Sequence, residues 1–330
     1  MDLSEGEESG TCLGCVLYIS IAVGLVYLVR RWIKGGQFTE RVSAKDLVCV
    51  VTGANSGIGL ETVRELNLRK AKVYMLCRSE ERANEARRAL VRKGCDATRL
   101  IYINCDLSKF SSVRKAAQEL SSEPHIDILI NNAGIMFPSK FELTEDGHEM
   151  TWQSNHLGPF LLTELLLPQL AKAKSARIVN LSSMANLGSK KIDLERIDSK
   201  QHFSRFMSYH NSKMANIMHA RGLTHRLHKE GTQNITINAC HPGVVDTNLS
   251  RHFIYDWLMK VGTPLRWLLL KTEKDGAQTS LYLALSKKVD GVSGKYFSDC
   301  ALAKENPLAL DNQACEDLYN YSLEVTGLAK

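Results

Sequence analysis

Leu47-Val48-Cys49-Val50-Val51-Thr52-Gly53-Ala54-Asn55-Ser56-Gly57-Ile58-Gly59 is the stretch on which the fold turns. Its first six residues form an unbroken apolar run closed by a threonine, the pattern of a strand buried on both faces of a parallel sheet. Three glycines follow at once with the spacing Gly-x3-Gly-x-Gly, and a helical pattern continues from Gly57 to Lys70. Glycines at such a junction let the backbone turn tightly and approach a pyrophosphate. The helix amino terminus adds free N–H groups and the positive end of its dipole. The spacing differs from Gly-x-Gly-x-x-Gly, and a glycine-rich turn by itself is only a tight turn. Placed between strand and helix it points to a dinucleotide, with Gly53, Asn55, Ser56, Gly57, Ile58 and Gly59 as candidate contacts.

Downstream, strands and helices alternate. Strands are expected at Lys72–Cys77, Leu100–Asn104, Ile126–Asn131, Arg177–Leu181, Ile235–Cys240 and Gly294–Phe297. Helices are expected over Glu80–Lys93, Ser108–Ser122 (opened by a serine cap), Asp146–Lys172, Phe206–Lys229 and Lys274–Leu285. Repeated strand–helix units impose right-handed crossovers and one parallel sheet with helices on both faces. The expectation is therefore a single α/β, Rossmann-type, doubly wound domain of about seven strands over residues 46–330. The second strand ends at Cys77-Arg78, nineteen residues after Gly59, with no acid where the ribose hydroxyls of NAD would need one. Arg78 can pair with a 2′-phosphate, which favours NADP(H); the alternative is a solvated arginine at a helix entrance.

Tyr209-His210-Asn211-Ser212-Lys213 sets a phenol and an ammonium four residues apart, on one helix face. A nearby cation favours phenolate and suits a tyrosine to proton exchange. The pair follows Asn180-Leu181-Ser182-Ser183 at the end of the fifth strand, the edge of the sheet where ligands bind. Taken in order, Thr52-Gly53-x3-Gly57-x-Gly59, Asn131-Asn132-Ala133-Gly134, Asn155, Ser183, Tyr209-x3-Lys213 and Pro242-Gly243 resemble the short-chain dehydrogenase/reductase family. Within it, Asn155-His156-Leu157-Gly158, His241 to Val245, Gly276 to Ser280 and Ser293 to Cys300 are similar to the microsomal retinol dehydrogenases, which also carry an N-terminal membrane anchor.

The resemblance implies roles. Tyr209 is the acid/base, Lys213 lowers its pKa and holds the nicotinamide ribose, and Ser183 bonds the substrate oxygen. Asn155 steadies a relay water near Lys213, and Asp106 contacts the adenine. Asn132 and Ala133 line the cofactor, and Val245 and Thr247 meet its carboxamide. It implies NADP(H)-dependent hydride transfer between a lipophilic carbonyl and its alcohol, retinal and retinol first, with other lipid aldehydes, ketosteroids or a catalytically silent NADP-binding scaffold as alternatives. His241 reads as a structural histidine, since no partner ligands stand at metal-binding spacing.

Upstream, residues 11–29 carry no charge and at helical rise span roughly 28 Å, one hydrocarbon thickness. Asp2, Glu5, Glu7 and Glu8 precede them, and Arg30, Arg31 and Lys34 follow. An acidic start suits neither a signal peptide nor a mitochondrial presequence. Residues 1–34 thus read as a tail and membrane anchor, with a buried core helix as the alternative, and 35–45 as a linker. Basic flanks place the body in the cytosol, and the resemblance to microsomal enzymes places it on the endoplasmic reticulum. Glycan at Asn180, Asn234, Asn248 or Asn320 would contradict that orientation. The net charge of +6 in 330 residues is too small to argue for nucleic acid. Nine cysteines, mostly in apolar runs, read as reduced core thiols, with lipidation of Cys12 or Cys15 left open. Ser250–Lys271 holds Phe253, Trp257, Trp267 and a run of leucines, as an apolar substrate lid would; packing on the core or contact with a bilayer would need the same side chains. Oligomeric state is not legible.

Overall fold

The computed structural model describes residues 5–246 and 263–329. A long helix α1 (Glu5–Lys34) leads into the body, whose chain runs β1 (Val48–Thr52), α2 (Gly57–Leu68), β2 (Lys72–Cys77), α3 (Glu80–Arg92), β3 (Leu100–Asn104), α4 (Phe110–Leu120) and β4 (Ile128–Asn131). Then come α5 (Met150–Trp152), a π-turn (Gln153–Leu157), α6 (Gly158–Ala171), β5 (Ala176–Leu181), α7 (Arg205–Lys229) and β6 (Ile235–His241). The chain closes with α8 (Thr263–Leu269), α9 (Glu273–Leu285), β7 (Tyr296–Ser298), β8 (Ala301–Leu302) and α10 (Asn312–Val325).

The sheet order is β3-β2-β1-β4-β5-β6-β7-β8, parallel throughout except for the last pair. Strand order reverses between β1 and β4, and this opens a crevice at their carboxyl ends. Central strands are buried on both faces, as β1 shows along its whole length. One face packs α2, α3 and α9 through Val51, Val63, Leu66, Leu90 and Leu281. The other packs α4, α6, α7 and α10 through Leu120, Trp152, Phe160, Ile217, Leu223 and Leu318. Each fully buried side chain of this size contributes about 1.5–3 kcal/mol.

Four local features depart from the sequence expectation. The sheet gains an eighth strand, because Asp299 (φ 51°) and Cys300 (φ 58°) form a left-handed two-residue turn that folds β8 back on β7. Two-residue strands leave no periodicity to read. Ser108 does not cap α4; it turns back to the Asp106 carboxylate (2.7 Å), the helix opens at Phe110, and the Phe110 N–H donates to Asp146 (2.8 Å). Helix does not begin at Asp146 either, since Glu149 caps it by accepting from the Thr151 and Trp152 N–H groups at 3.0 and 2.8 Å. Finally, residues 35–45 are packed against the body: Phe38 is buried, its N–H donates to Gln278 (3.0 Å), and Arg69 binds the Glu40 and Val42 carbonyls.

Candidate active site

A cavity of about 310 Å³ occupies the crevice at the strand-order reversal. Gly53, Asn55, Ser56, Gly57, Ile58, Gly59, Arg78, Asp106, Asn132, Ala133, Tyr209 and Lys213 all line it. Residues expected from separate motifs therefore converge on one space.

The first wall is made of backbone. Gly53 and Gly57 sit in left-handed conformation (φ 63° and 57°), which carries the chain from β1 into α2. Gly59 has no room for a side chain: a Cβ there would overlap the Gly53 carbonyl and the Asn132 amide. Ser56 is the N-cap of α2 but makes no side-chain capping bond, so the first amides of the helix have no side-chain acceptor of their own. Thr52 ties β1 to β4, its hydroxyl accepting from the Asn132 and Ala133 N–H groups at 3.0 Å each. A glycine cradle facing uncapped helix amides fits the pyrophosphate of a dinucleotide. At the end of β2, Arg78 lines the cavity with Arg82, one turn into α3; both are exposed, and neither pairs with an acid among the described residues. Asp106 is held in an Asx turn by the Ser108 N–H (3.1 Å) and hydroxyl (2.7 Å).

The second wall is made of side chains. Lys213 is buried, and its Nζ donates to the Leu181 carbonyl (3.1 Å). It makes no ion pair among the described residues, and burial pushes the ammonium down to about 8. Tyr209, also buried, has its ring centroid 5.6 Å from the Lys213 Nζ. Burial pushes the phenol up to about 12, and a hydrogen bond with Ser183 pulls it the other way. Desolvation is the larger of these two influences on the phenol. Asn155 lies in the π-turn, a helix irregularity common at functional sites. Its Oδ1 accepts from the Ile135 N–H (2.7 Å), and its Nδ2 donates to the Ile135 carbonyl (2.9 Å) and the Ser212 hydroxyl (3.1 Å). The side chain is thus engaged in fixing the loop after β4.

Val245 is buried and bridges to Lys271; with Ile58 it crowds Gly276. Thr247 and most of the expected lid, with Phe253 and Trp257, lie outside the described residues, as do Asn248 and the side chain of Cys12. Asn180 is buried, which no glycan tolerates.

Sequence reasoning assigned no role to several residues of the site. Arg82 was findable, standing at i+4 from Arg78. Gly134 sits between Asn155 and Lys213, where a Cβ would approach Asn155 Oδ1 at 3.2 Å and Lys213 Nζ at 3.3 Å. Phe137, with a left-handed φ of 53°, lays its ring against Tyr209 and Phe206, centroids 5.0 Å apart in each case. No sequence pattern announces a phenylalanine in that conformation.

The arrangement has counterparts in known proteins. A family model described as short chain dehydrogenase matches residues 47–255. Retinol dehydrogenase 14 of Mus musculus is 42% identical over 293 residues, covering 85% of this chain and 86% of that protein. Retinol dehydrogenase 12 of Homo sapiens is 40% identical over 303 residues, covering 91% and 92%. A crystal structure of an uncharacterized protein from Mycobacterium paratuberculosis superposes with a TM-score of 0.71 at 30% identity, covering 89% of this chain and 98% of that one.

Proposed function

The chain belongs to the short-chain dehydrogenase family, and on that premise we propose that it is an NADP(H)-dependent oxidoreductase of lipophilic carbonyls and alcohols, retinal and retinol first among them. The observation that carries this reading is the opening of Tyr209 and Lys213 onto the same cavity as the glycine cradle. The nicotinamide, when bound, supplies or accepts the hydride. The residues supply everything else. As negative charge grows on a carbonyl oxygen, Ser183 and Tyr209 donate hydrogen bonds to it, and Tyr209 gives up its proton at Oη. A phenol held near 12 is protonated at neutral pH, so it stands ready to donate in the reducing direction. Lys213, with one of its three N–H groups on Leu181 O, has the others for a ribose hydroxyl and for stabilising the tyrosinate left behind. Asn155 is a positioning residue, holding Ile135 and Ser212 beside them.

Arg78 and Arg82, both without an acid partner among the described residues, favour a 2′-phosphate and so NADP(H). The relatives' names, retinol dehydrogenases 12 and 14, favour a retinoid. Cys15–Lys34 is long and apolar enough to cross a membrane. We read residues 1–34 as anchor and 46–330 as the catalytic domain, set on the cytosolic side of the endoplasmic reticulum.

The test is the full chain in detergent, assayed by NADPH and NADH consumption against retinal, sterol ketones and aliphatic aldehydes. Tyr209→Phe should lose turnover by about 10²–10⁴-fold while NADPH fluorescence on binding is kept. A variant with a near-normal rate defeats the assignment, and wild type that binds NADPH but turns over no carbonyl is a scaffold.

A further inference from the structure

The junction between α1 and the body is a polar lock. Along 15–30 of the apolar helix, Arg30 alone is buried. Its Nη2 pairs with Asp275 (2.6 Å), its Nη1 donates to the Leu270 carbonyl (2.8 Å), and its guanidinium lies 5.0 Å over the ring of Trp267 in α8. Asp275 in turn accepts from the Thr272 N–H (3.0 Å) and hydroxyl (2.7 Å) at the N-terminus of α9. Gly35 and Gly36 then press against Asp299, which also pairs with Lys271, and neither glycine has space for a Cβ. The helix end is therefore clamped to three elements within one turn of the apolar span. It is not a flexible tether.

The surface around this clamp is unusual for a soluble face. Trp32 is 80% exposed, Trp267 51%, Val244 44% and Leu269 39%. Two tryptophans at the end of an apolar span are the side chains that settle at a membrane–water interface, where an indole has one wet and one apolar side. Arg31 and Lys34, in the last turn of α1, are exposed beside them and suit anionic headgroups. The same face carries the mouth of the site. The Lys271 N–H donates to the Val244 carbonyl (2.9 Å), three residues past the end of β6, and Pro242 between them lines the cavity.

We propose that α8 and Trp32 form a second, interfacial membrane contact, and that the Arg30–Asp275 lock seats the carboxyl edge of the sheet on the headgroup layer so that substrate passes between bilayer and cavity without crossing water. The occupant of the patch is the lipid headgroup region. Continuity with the span, the paired tryptophans and the basic flank argue for it. The proposal rests on the reading of α1 as an anchor, and the experiment separates the two.

Full chain is reconstituted in phosphatidylcholine–phosphatidylserine vesicles, with and without lipids brominated near the carboxyl end of the acyl chain. Sedimentation with the vesicles tests the anchor; tryptophan quenching tests the seat. Wild type should be quenched, and Trp267→Phe should remove a distinct share of that quenching. Arg30→Gln and Asp275→Asn should still sediment but lose the Trp267 share. Their KM should rise severalfold for a long-chain aldehyde dissolved in the bilayer and stay unchanged for a short water-soluble one. Failure to sediment overturns the anchor and the seat with it. Sedimentation without any Trp267 quenching overturns the seat alone, and so does cross-linking of α8 to a second copy. Should the lock variants not fold, the wild type and Trp267→Phe pair still decides the matter.

Discussion

The two walls of the cleft are built from different materials. On the β1–β2 side the contacts are backbone: Gly53 and Gly57 in left-handed conformation, Gly59 without room for a Cβ, and uncapped amides at the start of α2. On the β5–β6 side they are side chains, and these need support. Leu181 O accepts from both Lys213 (3.1 Å) and Asn216 (3.0 Å). Asn180 donates to the Asn216 carbonyl (3.2 Å), meets His219 Nδ1 (3.2 Å), and accepts from Asn131 (2.9 Å). His156 reaches Ser322 of α10 (3.0 Å) and packs against His219, centroids 6.3 Å apart. A glycine wall needs only the absence of atoms, whereas the ammonium wall depends on a polar network running behind it to the last helix.

The largest expected effect separates the walls by pH. His156 and His219 are held down to about 3 by burial, so both are neutral when folded and bind protons readily only when unfolded. Depressed folded values place the stability above the unfolded pKa near 6.5, and it is lost as pH falls toward 3. Between pH 7 and pH 5 that amounts to roughly 2 kcal/mol per imidazole. Glu149 and Glu164, raised by burial, push the other way as they take up protons. Urea midpoints at the two pH values measure the balance, and imidazole NMR shifts that titrate near 6.5 in the folded protein would contradict a neutral pair behind the ammonium wall.

Gly59→Ala strikes the other wall. Its Cβ overlaps the Gly53 carbonyl, which is backbone and cannot swing aside, as well as the Asn132 amide. NADPH affinity should fall on the order of 100-fold, about 2.7 kcal/mol, with Tyr209 and Lys213 undisturbed. Fluorescence titration reads it, and an unchanged Kd would mean that the cradle does not hold the dinucleotide.

This difference in material explains what was legible. Glycine spacing at a strand–helix junction is a local pattern, and every residue expected from it lines the cavity. Tyr209, Lys213, Ser183 and Asn155 stand in an ordered motif set, yet the motif says nothing of burial, and so the phenol's rise to about 12 was not foreseen. Asn131, Asn180 and His156 stand inside motif segments that assign them no role, and Asn216 and His219 are unmarked positions of α7; only the fold brings them behind Leu181. Phe137 against Tyr209, the Asp299–Cys300 turn and the Arg30–Asp275 lock are likewise tertiary facts, the last joining residues 245 positions apart. Boundaries slipped where a side chain from elsewhere took over a cap, as Asp146 does for α4.

A smaller effect tests the ammonium itself. With Lys213 pushed down to about 8, the charge that stabilises a tyrosinate is present below that value and lost above it. Carbonyl reduction should decline above pH 8, approaching tenfold per unit, while Tyr209 stays protonated. Single-turnover rates across pH 7–10 check this, and a flat profile removes Lys213 from the proton step.

The smallest effect lies at the rim of the glycine wall, where the contacts change from backbone to exposed guanidinium. Solvent screens Arg78 and Arg82, so each charge-assisted bond to a 2′-phosphate is worth about 1.4 kcal/mol, the lower end for bonds to charged groups. Arg78→Ala should therefore raise the KM for NADPH about tenfold and leave that for NADH nearly unchanged. Loss of Arg82, one helical turn on, should weaken NADPH further in the double variant, with losses that do not simply add, because the two cations share one phosphate. Added salt should shrink both effects together. If NADPH and NADH weaken equally, the two arginines are merely solvated at the mouth of α3, and cofactor choice is made elsewhere on the rim.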